Sequence, residues 1–309
     1  MAAASVPAPL INFASVESPF LIGTMVSCAL YGITCAQTVY YYRTYPVDHI
    51  YRKILVGILF LLETVHLMLV GEASHFFFVV CKVPEKLAGM FLIRTTFAAS
   101  FAITVVLTSL VQGFYAWRVW SVSNLHKFRM PIVGIIVATS FTQFCLGITA
   151  DVFLYTDPEL THVHDPLVEG LYSSQLAVAM TCDIAISLAL VYFLNQSRSG
   201  FRSTENIIDR LILYSVNVGL VTSAISIVTF ATFHALPSTT MFTLFTEIIS
   251  KIYVNSLLVT LNSRNNIKRV LEKHAAEAYP LSGTSFSQTR VLVTAPSQET
   301  PSLDAKGRV

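Results

Sequence analysis

Ionisable residues inside long apolar segments are the side chains of this sequence best placed to do chemistry. Thr243, Glu247, Lys251, Asn255 and Asn262 follow one another at spacings of 4, 4, 4 and 7 residues, which keeps them close to one face of an α-helix. Glu247 precedes Lys251 by four residues, the favourable order for an ion pair along a helix. Lys251 would lie roughly 18–20 Å from the outer end of its helix, too deep to reach water easily. This face is therefore expected to point into a helix bundle.

Three further ionisable residues lie near the middle of apolar segments. Glu63 and His66 are three residues apart and share a helical face, whereas Asp183 belongs to another segment. The candidate intramembrane polar cluster comprises Glu63, His66, Asp183, Glu247, Lys251 and Asn255. Ionisable groups in a membrane interior are costly, so each needs a partner or a function. The cluster is either a structural network that fixes helix register or a site for a small ligand or ion.

The composition places these residues in a membrane protein. Of 309 residues, 54% are hydrophobic and only 12% are charged, with a mean hydropathy of +0.63. Soluble domains carry about 25% charged residues. The net charge of +2 argues against a nucleic-acid partner, because such proteins concentrate Lys and Arg on one surface. The expected partner is the lipid bilayer.

Seven segments are long and apolar enough to be membrane-spanning helices, which need about 20 mostly apolar residues. They cover residues 19–42, 54–71, 95–117, 130–155, 170–194, 211–235 and 238–261. Ser18 and Pro19 fit the N-cap and first turn of the first helix. The apolar stretch from His75 to Val80 is too short to span and is predicted to be an interfacial piece of the second loop. The predicted architecture is an all-α bundle of seven transmembrane helices.

The distribution of basic residues predicts the orientation of this bundle. Loops one, three and five and the tail together hold 16 of the 20 Lys and Arg residues, and basic loops favour the cytosol. Residues 1–18 are therefore predicted outside and residues 263–309 inside. The acidic, histidine-bearing fourth loop (156–169) lies outside. Arg94 and Asp151, at the outer ends of helices three and four, are expected to pair or to meet lipid headgroups. The glycosylation sequon at Asn195 falls inside and is expected to be unused.

The tail begins with a basic amphipathic pattern. Arg264, Lys268, Arg269 and Lys273 alternate with Ile267, Val270 and Leu271. This pattern predicts either a short helix on the anionic inner leaflet or a continuation of the seventh helix. Beyond Tyr279 the chain is rich in Ser, Thr and Pro, which is typical of disorder.

The sequence lacks residues that are characteristic of several familiar functional classes. Retinal proteins carry a lysine midway along the seventh helix, but the sixth segment here has no Trp or Pro, and Lys251 has Glu247 one turn away. The commonest class of G-protein-coupled receptors is disfavoured because no acidic residue precedes Arg118 at the end of the third segment. No phosphate loop, zinc-ligand spacing or serine-nucleophile motif is present, so we expect no enzyme activity, no cofactor and no metal.

A set of motifs distributed over residues 20–265 resembles one large family. The most specific are Glu63-Thr64-Val65-His66, Gln112-Gly113-Phe114-Tyr115-Ala116-Trp117-Arg118, Asn255-Ser256-Leu257-Leu258 and Leu261-Asn262-Ser263-Arg264. They are similar to a family of seven-pass membrane proteins from mushroom-forming fungi, catalogued as a domain of unknown function. Glu63 stands where that family is expected to carry an aspartate, which keeps the carboxylate. The resemblance implies the fold and a fungal origin, and it implies no activity.

Three functional hypotheses remain. The first is a receptor-like or sensory protein, in the plasma membrane rather than an internal membrane, that binds a small ligand in the outer half of the bundle, with the fourth loop near the entrance. The second is a transporter or channel that uses Glu63, Asp183, Glu247 and Lys251 as a charge or proton path. The third is a membrane scaffold whose tail binds cytosolic partners.

Overall fold

A computed structural model describes residues 13–123, 127–196 and 202–264 and folds them into seven α-helices. They are α1 (Phe13–Thr44), α2 (Ile50–Phe78), α3 (Thr95–Val122), α4 (Arg129–Thr156), α5 (Pro166–Gln196), α6 (Arg202–Ala235) and α7 (Met241–Asn262). The all-α architecture expected from the sequence is confirmed.

Six of these helices, all except α6, are long and apolar enough to cross a membrane. In the described part of α6, the apolar stretch Gly219–Ala235 is shorter. A chain with this many apolar helices is a membrane protein, because only the hydrocarbon interior of a bilayer accepts so much apolar helical surface without penalty.

The distribution of side chains agrees with a lipid environment. Large apolar residues face outward, with Met68 67%, Leu188 65% and Leu220 63% exposed. The side chains of Glu63 and Lys251, in contrast, are 0% exposed. Exposing this apolar surface to water would cost free energy, whereas contact with the equally apolar lipid tails does not.

The helices pack as neighbours in chain order, and α7 closes the bundle against α1. Helix α3 lies centrally, with contacts to α2, α4, α5 and α7. The contact between α1 and α7 is close at Gly23, where an added Cβ would lie 2.9 Å from the Cα of Leu244. Glycine is therefore required at this crossing, as is common where membrane helices approach closely.

Two loops pair over the end of the bundle at which α1 begins, here called the N-terminal end. The α2–α3 connection contains the 3₁₀ segments Val80–Lys82 and Pro84–Phe91, and the α4–α5 connection contains Leu160–His164. Leu92 and Glu159 form an isolated antiparallel bridge between these loops. The neighbouring Ile93 donates its N–H to the carbonyl of Pro158 at 2.6 Å.

Three sequence-based expectations about the N-terminal end are wrong. The stretch from His75 to Val80 is not a separate interfacial piece, because α2 continues to Phe78. Helix α1 begins at Phe13, so Pro19 lies inside it rather than in its first turn. Hydropathy marks the lipid-buried part of a helix, but backbone hydrogen bonding continues beyond it. Of the two alternatives for Arg94, the pair with Asp151 is wrong, because Arg94 pairs with Glu72 at 2.9 Å.

Other sequence-based expectations lie outside the described residues. They are the exoplasmic segment before residue 13, residues 197–201 of the fifth loop, and the amphipathic start and the disorder of the tail beyond residue 264.

Candidate functional site

Four buried ionisable side chains meet between α2 and α7. The ammonium of Lys251 contacts the carboxylate of Glu63 and lies 3.0 Å from His66 Nδ1. On the far side of the imidazole, Nε2 is 3.9 Å from the carboxylate of Glu247. All four side chains are at most 1% exposed. We call Glu63, His66, Glu247 and Lys251 the charged quartet.

The expected pair between Glu247 and Lys251 is replaced by a pair between helices. Lys251 is one helical turn from Glu247 and could pair with it along α7. Its long side chain extends instead to Glu63 on α2. Glu63 and His66, three residues apart on α2, take up opposite sides of the contact with α7. The quartet therefore links α2 to α7 rather than supporting α7 alone.

The balance of charge in the quartet constrains its protons. It contains two carboxyl groups and one ammonium, and an unpaired charge in a low-dielectric interior is costly. When Lys251 donates to His66 Nδ1, the imidazole proton sits on Nε2 and faces Glu247. The arrangement can hold or pass one proton between His66 and Glu247, but it also suffices to fix the helix pair.

Asp183 belongs to a second network that does not include the quartet. Its carboxylate accepts hydrogen bonds from Gln112 at 3.1 Å, Thr222 at 2.6 Å and Tyr253 at 2.5 Å. Gln112 also donates to Gln143 at 3.1 Å. These residues come from α3, α4, α5, α6 and α7, so the network joins five helices. A carboxylate with three donors is well satisfied, which favours a structural role.

Asn255 lies at a third place, the seam between α1 and α7. Its amide donates to the carbonyl of Leu30 at 3.1 Å, and its side-chain oxygen accepts from Thr34 at 3.1 Å. Asn262 continues the seam two turns later by donating to the carbonyl of Gln37 at 3.0 Å. The six residues of the predicted cluster thus occupy three different sites.

The same seam ends in an ion pair beyond the helices. Arg264 donates to Asp48 at 2.6 Å, and Tyr41 donates to the same carboxylate at 2.8 Å. Burial acts to raise the pKa of Asp48, but the hydrogen bonds from Arg264, Tyr41 and the His49 N–H, with the positive charge of Arg264, hold the pKa well below its usual range. This carboxylate therefore ties the α1–α2 loop to the end of α7.

A cavity of about 80 Å³ opens within the N-terminal end of the bundle. Eight aromatic side chains line it: Phe20, Phe77, Phe78, Phe97, Phe101, Tyr172, Phe233 and Phe242. We call it the aromatic cavity. Its rings pack edge to face, with centroids 4.8 Å apart for Phe97 and Phe101 and 5.0 Å apart for Phe233 and Phe242. Such a site favours a flat or apolar molecule.

The fourth loop forms part of the cover of the aromatic cavity. Leu160 and Val163 line it from this loop, and His164 stacks on Phe233 with centroids 4.8 Å apart. Within this loop, His162 Nδ1 lies 2.8 Å from the carboxylate of Asp157. The interaction with this carboxylate raises the pKa of His162.

A second cavity of about 50 Å³ lies deeper and shares Phe101, Ala150, Leu154 and Tyr172 with the aromatic cavity. Its other lining residues include the polar side chains of Asp151, Gln175, Ser226, Thr104, Thr108 and Thr229, which lie among apolar ones such as Leu176 and Ile249. We call it the polar cavity. Asp151 is only 9% exposed, so it is not a headgroup-facing residue at a helix end.

Sequence reasoning missed both cavities. The signal present was the concentration of Phe near the helix ends that face one another, at Phe20, Phe77, Phe97, Phe233 and Phe242. Phenylalanine is common in every membrane helix, however, so the pattern becomes meaningful only once the ends are placed together.

Comparison with known proteins finds similarity to one family over part of the chain and assigns no activity. The model of a family of unknown function (DUF6534) matches residues 179–266, which include Asp183, Glu247, Lys251 and Asn255. Glu63, His66 and Asp151 lie outside the matched range. No curated protein and no solved structure gives a significant match.

Proposed function

We propose that this chain is a receptor-like or sensory membrane protein that binds a small ligand in the aromatic cavity. The observation that carries the proposal is the cavity itself, enclosed by helix ends and by the fourth loop. Its volume of about 80 Å³ is several times the roughly 10–15 Å³ that one water molecule needs, so it accommodates several ligand atoms.

The contrast between the cavities and the polar networks supports this assignment. Side chains of the charged quartet line neither the aromatic nor the polar cavity. The quartet and Asp183 instead join helices to one another. The bundle is thus fixed by its buried charges and leaves a preformed space at one end, as in binding sites between helices.

We further infer a topology that places this end outside the cytosol. In this topology α6 also spans the membrane, giving seven spans, with the N-terminus outside and the basic loops and tail in the cytosol. The plasma membrane is the expected location, since the cavity then faces the surroundings of the cell. The motifs of the sequence lead us to expect a fungal source.

Photolabelling with the small apolar probe 3-trifluoromethyl-3-phenyldiazirine tests whether the cavity is occupied. Labelled peptides from the full chain in lipid nanodiscs are mapped by mass spectrometry. We expect saturable labelling at Phe97, Phe101 and Phe242, in the cavity, and non-saturable labelling at the lipid-facing Met68 and Leu188.

A cavity-filling substitution provides the matched test. Ala150 lines both cavities and is 4% exposed, whereas Ala138 on the same helix faces outward. Ala150→Phe, or the smaller change Ala150→Leu if the first does not fold, should abolish the saturable labelling. Ala138→Phe should leave it unchanged. Absence of saturable labelling in wild type, or its persistence after filling, would overturn the proposal.

The alternative function is a transporter or channel, which the burial of Glu63, Glu247 and Lys251 favours. Proton flux in proteoliposomes separates the two functions. A receptor binds its ligand without moving it across the membrane. A transporter gives flux that is lost in Lys251→Met but retained in the lipid-facing variant Met68→Leu.

A further inference from the structure

Asp151 differs from the other buried carboxylates because, among the described residues, neither a charged group nor a hydrogen-bond donor is recorded beside it. Glu63 contacts Lys251, Glu247 faces His66, and Asp183 accepts three hydrogen bonds. Asp151 Oδ2 is buried without a hydrogen-bond partner among the described residues, and no Lys, Arg or His there forms an ion pair with it. A buried carboxyl group without a partner is costly, so its retention needs a reason.

The surroundings of Asp151 are built for a polar group from outside the chain. Asp151 lines the polar cavity, and Ser226 Oγ, which lines the same cavity and is 2% exposed, likewise lacks a partner in the described part of the chain. No Lys, Arg or His is among the described residues that line either cavity. The one other carboxylate there, Glu17 in the aromatic cavity, already contacts Lys82.

We propose that the two cavities form one binding site for a small amphipathic amine, with the ammonium paired to Asp151 in the polar cavity and the apolar body in the aromatic cavity. This proposal rests on the proposed function and specifies its ligand class.

The chemistry of the lining explains the preference for an amine. A primary ammonium has three N–H donors and no acceptor, which matches a carboxylate with nearby hydroxyl oxygens. Asp151 supplies the charge, and Ser226 and the threonine hydroxyls of the polar cavity supply further acceptors. A charge-assisted hydrogen bond is about twice as strong as a neutral one.

The shared wall between the cavities explains the amphipathic shape. Phe101 and Tyr172 line both spaces, so a molecule can extend from one to the other without leaving the protein. Towards the loops, the lining is almost wholly apolar, and a charged group placed there would have no free counter-ion. The ligand is therefore expected to enter with its amine leading.

Equilibrium binding of 2-phenylethylamine and 2-phenylethanol to the full chain in nanodiscs tests the proposal. The two probes share the aromatic body and differ in the charged group. We expect the amine to bind at least about tenfold more tightly than the alcohol, and Asp151→Asn to weaken amine binding at least about tenfold. Alcohol binding should change less than about twofold in Asp151→Asn, which also shows that the variant keeps its cavity.

Asp165→Asn, which removes an exposed acid from the fourth loop, is the control and should bind both probes as wild type does. Equal binding of amine and alcohol to wild type would overturn the amine assignment and leave the proposed function standing. Loss of both ligands in Asp151→Asn while the variant stays folded would also overturn it, because the effect would not depend on charge. If wild type binds neither probe, the amine proposal fails, whereas the proposed function fails only if saturable labelling of the aromatic cavity is also absent.

Discussion

The ammonium of Lys251 on α7 contacts the carboxylate of Glu63 on α2, although Glu247 lies one turn away on its own helix. This contact joins two helices that are far apart in the chain. It leaves Glu247 facing His66 at 3.9 Å. The pairing therefore makes different predictions for the two glutamates, and it assigns the larger effect to Glu63 although the sequence alone favours Glu247 as the partner of Lys251.

Glu63→Gln is expected to lower the free energy of unfolding by about 3–5 kcal/mol, because it strands the ammonium of Lys251 in the interior. Lys251→Met should also destabilise, and the double variant should recover much of the loss. Glu247→Gln should have a much smaller effect. Denaturant-induced unfolding in detergent micelles measures all four variants. A larger effect of Glu247→Gln than of Glu63→Gln would contradict the observed pairing.

The same substitution at two buried aspartates should have opposite effects. Asp183→Asn replaces a carboxylate that accepts three hydrogen bonds, and it should cost about 1–3 kcal/mol. Asp151→Asn removes a carboxyl group whose Oδ2 has no partner in the described part of the chain, so it should raise the melting temperature. Thermal melts without added ligand decide this. Equal losses at both positions would show that Asp151 already contributes to stability.

The positions of the helices can be predicted from the sequence, whereas the contacts between helices cannot. The seven helices follow from seven apolar runs of the sequence, and six of them are long and apolar enough to span a bilayer. The partner of Lys251 does not follow, because spacing within one helix carries no information on which helix lies opposite. Asp151 was misplaced for a related reason: near the end of an apolar run it looks exposed, but Tyr172 and Gln175 of α5 line the same enclosed space.

Acid should weaken the contact between α7 and the α1–α2 loop. The pKa of Asp48 in the folded protein lies below its unfolded value of 3.8, so the carboxylate stabilises the fold above that value and loses this contribution as the pH falls. The melting temperature of Asp48→Asn should be below that of wild type at pH 7, and the difference should shrink towards pH 3. A difference that stays constant over this range would rule out the ionised carboxylate as the cause.

Cysteine labelling in intact cells tests the orientation. In a background without the five native cysteines, Asp165→Cys in the fourth loop and Val47→Cys in the first loop provide two exposed sites. Val47 is 94% exposed, so access to it is limited by the membrane alone. A membrane-impermeant maleimide should label the former in intact cells and the latter only after permeabilisation. The reverse pattern would invert the proposed topology.

Competition between the phenyl diazirine and 2-phenylethylamine for the aromatic cavity tests the ligand-binding account most directly. Wild-type chain in nanodiscs is photolabelled with the phenyl diazirine in increasing concentrations of 2-phenylethylamine. The account predicts that the amine removes label from peptides containing Phe97, Phe101 and Phe242 while label at Met68 and Leu188 persists, and that Asp151→Asn requires at least about tenfold more amine. Cavity labelling that is unaffected by saturating amine would contradict it.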